Sequence, residues 1–142
     1  MVRPLALALA ALLVLPGARA YAQAGDDDVF VTCVAEGEER GNIEICTKLI
    51  NSGRLSGKKL ATAYNNRGVN YAGLEQYKKA IADYDRAIKL DPREPYFYFN
   101  RAFAHEQLKQ RARAIADYRM VLKLNPKDPD ARSALKRLGA RP

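Results

Sequence analysis

The sequence predicts an all-α protein built of stacked antiparallel helix pairs. Two observations carry this. Ala80-Ile81-Ala82-Asp83-Tyr84 returns unchanged as Ala114-Ile115-Ala116-Asp117-Tyr118, 34 residues later. Around both copies, Tyr64/Tyr98, Asn66/Asn100, Arg67/Arg101, Leu74/Leu108, Gln76/Gln110, Lys89/Lys123, Leu90/Leu124 and Pro92/Pro126 pair at the same offset. A fixed period of this length marks stacked supersecondary units, each too small to bury its apolar face alone. Within each period the apolar residues recur at helical spacing and the stretch closes on a Pro, which gives two helices per unit.

The amino terminus reads as a secretory signal over residues 1–22. Arg3 supplies a short basic region, Leu5 to Leu15 an apolar run, and Pro16-Gly17 breaks it. Small residues at Ala18/Ala20, Ala20/Ala22 and Ala22/Ala24 offer three cleavage frames. Eleven apolar residues are too few to span a bilayer. The expected location is periplasmic or secreted, with no transmembrane segment once the signal is removed. Loss of Arg3 and Arg19 lowers the formal charge from +8 to +6. Such a surface attracts anionic partners, but export argues against nucleic acid.

Asp26-Asp27-Asp28 would cap a helix from Val29 to about Arg40, with Gly41-Asn42 as a tight turn. A helix from Ile43 to Asn51 ends at Ser52-Gly53. The first clear unit pairs Leu60–Leu74 with Tyr77–Leu90 and stops at Asp91-Pro92. The second pairs Tyr96–Leu108 with Ala112–Leu124 and stops at Asn125-Pro126. A last helix begins near Pro129 and ends before Gly139.

The pattern resembles the tetratricopeptide repeat, a 34-residue unit with an aromatic, a small residue, a Tyr, then Ala, an aromatic and a closing Pro. The first unit matches at Tyr64, Gly68, Tyr71, Ala80, Tyr84, Ala87 and Pro92. The second matches at Tyr98, Ala102, Ala114, Tyr118 and Pro126. Departures are Arg67 and Arg101 where an apolar residue is usual, His105 for Tyr and Val121 for Ala. The resemblance implies a right-handed superhelical array of antiparallel helix pairs with about seven helices: units at 61–94 and 95–128, a degenerate first pair at 27–60, a capping helix at 129–138 and a tail at 139–142. Gly68 and Ala102 would meet Ala80 and Ala114 where paired helices come closest.

Sliding the frame back by 34 sets Cys33 and Cys46 on facing helices of the degenerate pair. In an exported protein an even cysteine count reads as a disulfide. Twelve intervening residues do not match the C-x-x-C spacing of a redox-active pair, so the structural bridge is favoured.

No catalytic, cofactor-binding or metal site is expected. One His and two Cys cannot build a zinc cage. His105 lacks an obvious nucleophile and is read as packed between helices. Asp83 and Asp117 are read as equivalent outer positions, paired with neighbours such as Arg86 and Arg113.

The resemblance further implies that the first helix of each pair lines a concave groove. Its lining would include Thr62, Asn65, Asn66 and Val69 from one helix and Tyr96, Phe99, Asn100 and Phe103 from the next. Amides and rings of this kind suit an extended peptide. Phe99 and Phe103 could equally serve as core between helices. Some family members clamp a peptide's terminal carboxylate with Lys, Asn and Arg. Here Asn65, Val69, Asp130 and Ala134 occupy clamp positions, so the clamp is incomplete and is not expected. The function expected is a non-enzymatic interaction module of the cell envelope, binding a protein or peptide. The alternative is a basic adaptor for an anionic envelope polymer or membrane surface, drawing on Lys58-Lys59 and Lys136-Arg137. Self-association stays open.

Overall fold

The structure is a computed structural model that describes Cys33 and residues 39–142. The signal segment and nearly all of the helix expected over Val29–Arg40 lie outside the described residues. Six helices follow in order: α1 Glu39–Asn51, α2 Gly57–Gly73, α3 Tyr77–Leu90, α4 Pro95–Gln107, α5 Arg111–Leu124 and α6 Pro129–Arg137. Each packs against the next, with the tightest association inside the pairs α2–α3 and α4–α5.

One boundary differs in kind from expectation. Gly41-Asn42 forms no turn, because α1 runs through both residues. Asn42 is buried instead, its Nδ2 reaching Asn70 Oδ1 on α2 at 3.5 Å. A packing contact at that position overrides the turn tendency of Gly-Asn. Helices α2, α4 and α5 start one to three residues earlier than expected, and Pro95 takes the first helical position of α4, where its missing N–H costs nothing.

Three helices end with the same hydrogen-bond pattern. Gln76 N–H bonds Tyr71 O and Glu75 N–H bonds Ala72 O; Gln110 and Lys109 do the same to His105 and Glu106, and Ala140 and Gly139 to Leu135 and Lys136. This closure needs a left-handed residue. Gly139 supplies it at φ +64°, whereas Glu75 and Lys109 take φ 58° and 59° with full side chains.

The core sits between helices in three connected clusters. Tyr84, Tyr118 and Phe97 are the largest fully buried side chains. Aromatic side chains bury about 150–250 Å² each, so at roughly 25 cal/mol/Å² each stabilises the array by several kcal/mol. Ala104 of α4 inserts beside Ala80 and Tyr84 of α3, tying the two units together. Gly68 sits where the sequence placed it: a Cβ there would lie 2.7 Å from Tyr84 Cε1 and 3.2 Å from Ala80 O. Only a residue without a side chain permits that approach.

Asp83 and Asp117 are interior, not outer-surface, positions, at 2% and 6% exposure. Each is held bidentately by an Arg of the preceding helix. Arg67 Nε and Nη2 donate to Asp83 at 2.7 and 2.8 Å, and Arg101 Nε and Nη2 donate to Asp117 at 2.8 and 2.7 Å. Arg86 stands 3.8 Å from Asp83 as a secondary contact, and Arg113 bonds Gln110. The arginines that depart from the repeat pattern are therefore there for these aspartates. A buried carboxylate without them would carry a desolvation cost of several kcal/mol.

Candidate functional site

The residues expected to line a concave groove lie on α2 and α4, the first helix of each pair. They are brought together, but not all of them are open. Asn65 and Asn66 are buried, at 3% and 6% exposure. Asn100 Nδ2 donates to Asn65 Oδ1 at 2.9 Å across the α2–α4 gap, and Asn65 Nδ2 donates to Asn66 Oδ1 at 3.4 Å. Asn70 Nδ2 extends the ladder to Asn66 O and to Cys33 O, at 2.9 and 3.0 Å. These amides bond one another rather than facing a ligand. Among the described residues Asn66 Nδ2 has no hydrogen-bond partner.

The aromatic half divides similarly. Phe99 belongs to the core, stacked edge-on against Tyr118 with ring centres 5.3 Å apart. Val69 packs against the cluster of Ala80 and Tyr84. Tyr96, Asn100 and Phe103 are half-buried and keep an accessible face. Burial pushes the Tyr96 hydroxyl up to about 12, against a hydrogen bond with Thr62 that lowers it and with the charges of Glu94 and Asp91 adding to the rise.

Beside Tyr96 lies an open cleft of about 110 Å³ lined by Glu94, Pro95, Tyr96, Phe99, Val121, Asn125 and Asp128. It lies where the start of α4 meets the end of α5 and the start of α6. Its lining combines apolar side chains with the carboxylates of Glu94 and Asp128. Burial and the neighbouring Asp91 raise the Glu94 carboxyl above the usual range, with Lys58 opposing. Asp128 caps α6, accepting Ala131 N–H at 2.8 Å.

Among the cleft residues only Tyr96 and Phe99 were anticipated from sequence. A signal existed for the others: Glu94-Pro95 and Asp128-Pro129 stand 34 residues apart, so an acid-Pro step recurs at the start of α4 and of α6.

At the amino-terminal end, Cys33 and Cys46 form a disulfide with Cα atoms 5.4 Å apart, and both side chains are fully buried. His105 is buried as expected, its Nδ1 2.7 Å from Gln110 Oε1 and its Nε2 3.9 Å from Asp117. Among the described residues no helix is long and apolar enough to cross a membrane.

Stacked helix pairs with this repeated closure define a helical repeat protein built for interaction. The tetratricopeptide repeat profile matches residues 61–139, more than half of the sequence, and the chain belongs to that family. No curated protein sequence matches it. Among solved structures it is similar to the tetratricopeptide domain of Arabidopsis OM64, with 29% identity over 71% of this chain and 80% of that one, at a TM-score of 0.65. It is also similar to the second such domain of human RPAP3, solved in complex with the HSP70 peptide SGPTIEEVD. That match has 26% identity over 75% and 85% of the two chains, at a TM-score of 0.67. The first domain of Spaghetti (RPAP3), bound to the HSP90 peptide SRMEEVD, shares the fold at 24% identity over 72% and 79%, with a TM-score of 0.67.

Proposed function

We propose that this chain is a non-enzymatic interaction module of the cell envelope, exported by its amino-terminal signal, that binds a peptide segment of a partner protein on its concave side. The observation that carries the reading is the unfilled cleft beside Tyr96, in a fold whose solved relatives include a domain holding a peptide. A half-buried ring next to unfilled space offers a peptide side chain a place to dock, and Asn100 and Phe103 continue the accessible strip along α4. The buried disulfide fits an oxidising compartment.

The alternative, a basic adaptor for an anionic polymer, draws on the excess of Lys and Arg. Arg67, Arg101 and Arg137 are taken up by Asp83, Asp117 and Glu106, but one-to-one pairing leaves the net excess unchanged, so salt dependence has to separate the two readings.

The test is partner capture from envelope extract with the oxidised protein, repeated with Tyr96→Ala and Phe103→Ala. Phe99→Ala is unsuitable, because it would open the core. The two variants are expected to lose the same specific partner while remaining folded by circular dichroism. Retrieval of an unchanged set by both would remove the concave side as the binding surface. Binding that instead fades steeply with salt in all three proteins would favour the polymer adaptor.

A further inference from the structure

We infer that the cleft beside Tyr96 receives a lysine or arginine side chain of the partner peptide. The inference rests on the peptide-binding reading above and specifies which peptides satisfy it.

Three observations lead there. First, the cleft is the size of one side chain. At about 110 Å³ it is well below the roughly 300–1,000 Å³ of small-molecule sites. Second, its shape of charge is that of a sleeve for a long cation. Pro95, Tyr96, Phe99 and Val121 give apolar lining for an aliphatic stem, and Glu94 and Asp128 contribute two carboxylates to the same lining. The accessible face of Tyr96 adds a cation–π surface.

Third, these two carboxylates differ from the Arg-bound acids of the helix pairs. Asp83, Asp117 and Glu106 are each buried or nearly so, and each is bound by an Arg at 2.7–2.9 Å. Asp128 is equally buried, at 8% exposure, yet its oxygens accept only from neutral groups, Ala131 N–H and Asn125 Nδ2. Among the described residues, neither the Glu94 nor the Asp128 carboxylate forms a salt bridge with a Lys or Arg side chain. Lys58 acts on Glu94 only from farther off. A carboxylate held in a poorly solvated cleft gains from an incoming cation what its relatives gain from their own Arg.

The preference runs against the protein's own charge. A formal +6 after loss of the signal repels basic peptides at long range, so a basic side chain would be selected only by a local site. It also separates this chain from its peptide-binding relative, whose ligand SGPTIEEVD is acidic.

The experiment is selection of a displayed random heptapeptide library on the purified, oxidised protein. Parallel selections use Glu94→Gln and Asp128→Asn, which keep the shape of the cleft; Asn also preserves the cap on α6. Wild type is expected to enrich peptides with Lys or Arg at one fixed position, binding at least tenfold tighter than the same peptides with Gln there. Both variants should lose that discrimination while retaining the preferences at the other positions. Enriched peptides without a fixed basic position, or with the discrimination intact in both variants, would overturn the inference and leave the peptide-binding reading standing. Absence of any enriched peptide would overturn both.

Discussion

Arg67 grips Asp83 with two parallel hydrogen bonds, Nε to Oδ2 at 2.7 Å and Nη2 to Oδ1 at 2.8 Å, inside the α2–α3 hairpin. Arg101 and Asp117 repeat the arrangement in α4–α5, with Arg101 Nη1 also reaching Asp85 of the previous unit at 2.6 Å. The two clamps lock each hairpin, and the second also joins neighbouring units. Planar, two-pronged pairing of this kind is what Arg offers and Lys does not.

Removing one partner should expose how much each clamp matters. Asp83→Asn leaves the Arg67 charge buried without its counter-charge, an expected loss of about 3–5 kcal/mol. Asp117→Asn should cost less, because Arg101 keeps Asp85 and is more exposed. Urea midpoints at unchanged slope give both values. Losses below about 1 kcal/mol in both variants would mean the clamps are solvated.

The Cys33–Cys46 bridge should stabilise the amino-terminal end specifically. Cys33→Ser with Cys46→Ser is expected to lower stability by about 3 kcal/mol. Amide exchange should quicken in α1 far more than in α4 to α6, since α1 adjoins only α2 among the described helices. Thiol labelling of unfolded, unreduced protein should detect no free Cys. A labelled pair would contradict the bridge.

The left-handed turns carry strain that glycine would relieve. An L-residue in this conformation costs roughly 1–2 kcal/mol, against about 0.5–1 kcal/mol of extra chain entropy for Gly. Glu75→Gly and Lys109→Gly should therefore each raise stability, by about 0.5 kcal/mol. A loss in both would show that their side chains contribute more than their backbones cost.

Buried tyrosines set the alkaline limit. Burial raises Tyr84 and Tyr118 well above their ordinary value of 10.0, and Tyr96 up to about 12. A folded-state value above the unfolded one gives stability that is whole below pH 10 and drains away as the pH climbs through the folded value. For Tyr84 alone the slope reaches about 1.4 kcal/mol per pH unit. Thermal melts should thus be flat, as far as these groups are concerned, up to about pH 10. They should fall steeply between there and pH 12. A Tyr96→Phe variant should show a shallower fall.

The scaffold was legible because repetition constrains it. Gly68, Tyr84 and Tyr118 sit where the 34-residue frame placed them, since a close approach and a wide gap leave few alternatives. Asp83 and Asp117 were misplaced because an acidic residue beside Arg86 looks solvated until its partner 16 residues upstream is seen. That Arg67 and Arg101 recur at the same offset as the aspartates was the available clue. The groove was only half legible. Helical periodicity says that Asn65 and Asn66 share a side of α2 but not that neighbouring amides would satisfy them. The cleft arises where three elements meet, so the recurring Glu94-Pro95 and Asp128-Pro129 steps marked two of its residues without showing that they line one space.

The central claim is that the space around Tyr96 is the binding surface, and chemical-shift mapping tests it most directly. The oxidised, amide-labelled protein is titrated with the tightest peptide from the library selection. Shifts concentrated at Glu94, Tyr96, Phe99, Val121, Asn125 and Asp128 are the predicted result. Shifts confined to the outer faces of α3 and α5, with those residues unmoved, would contradict the account.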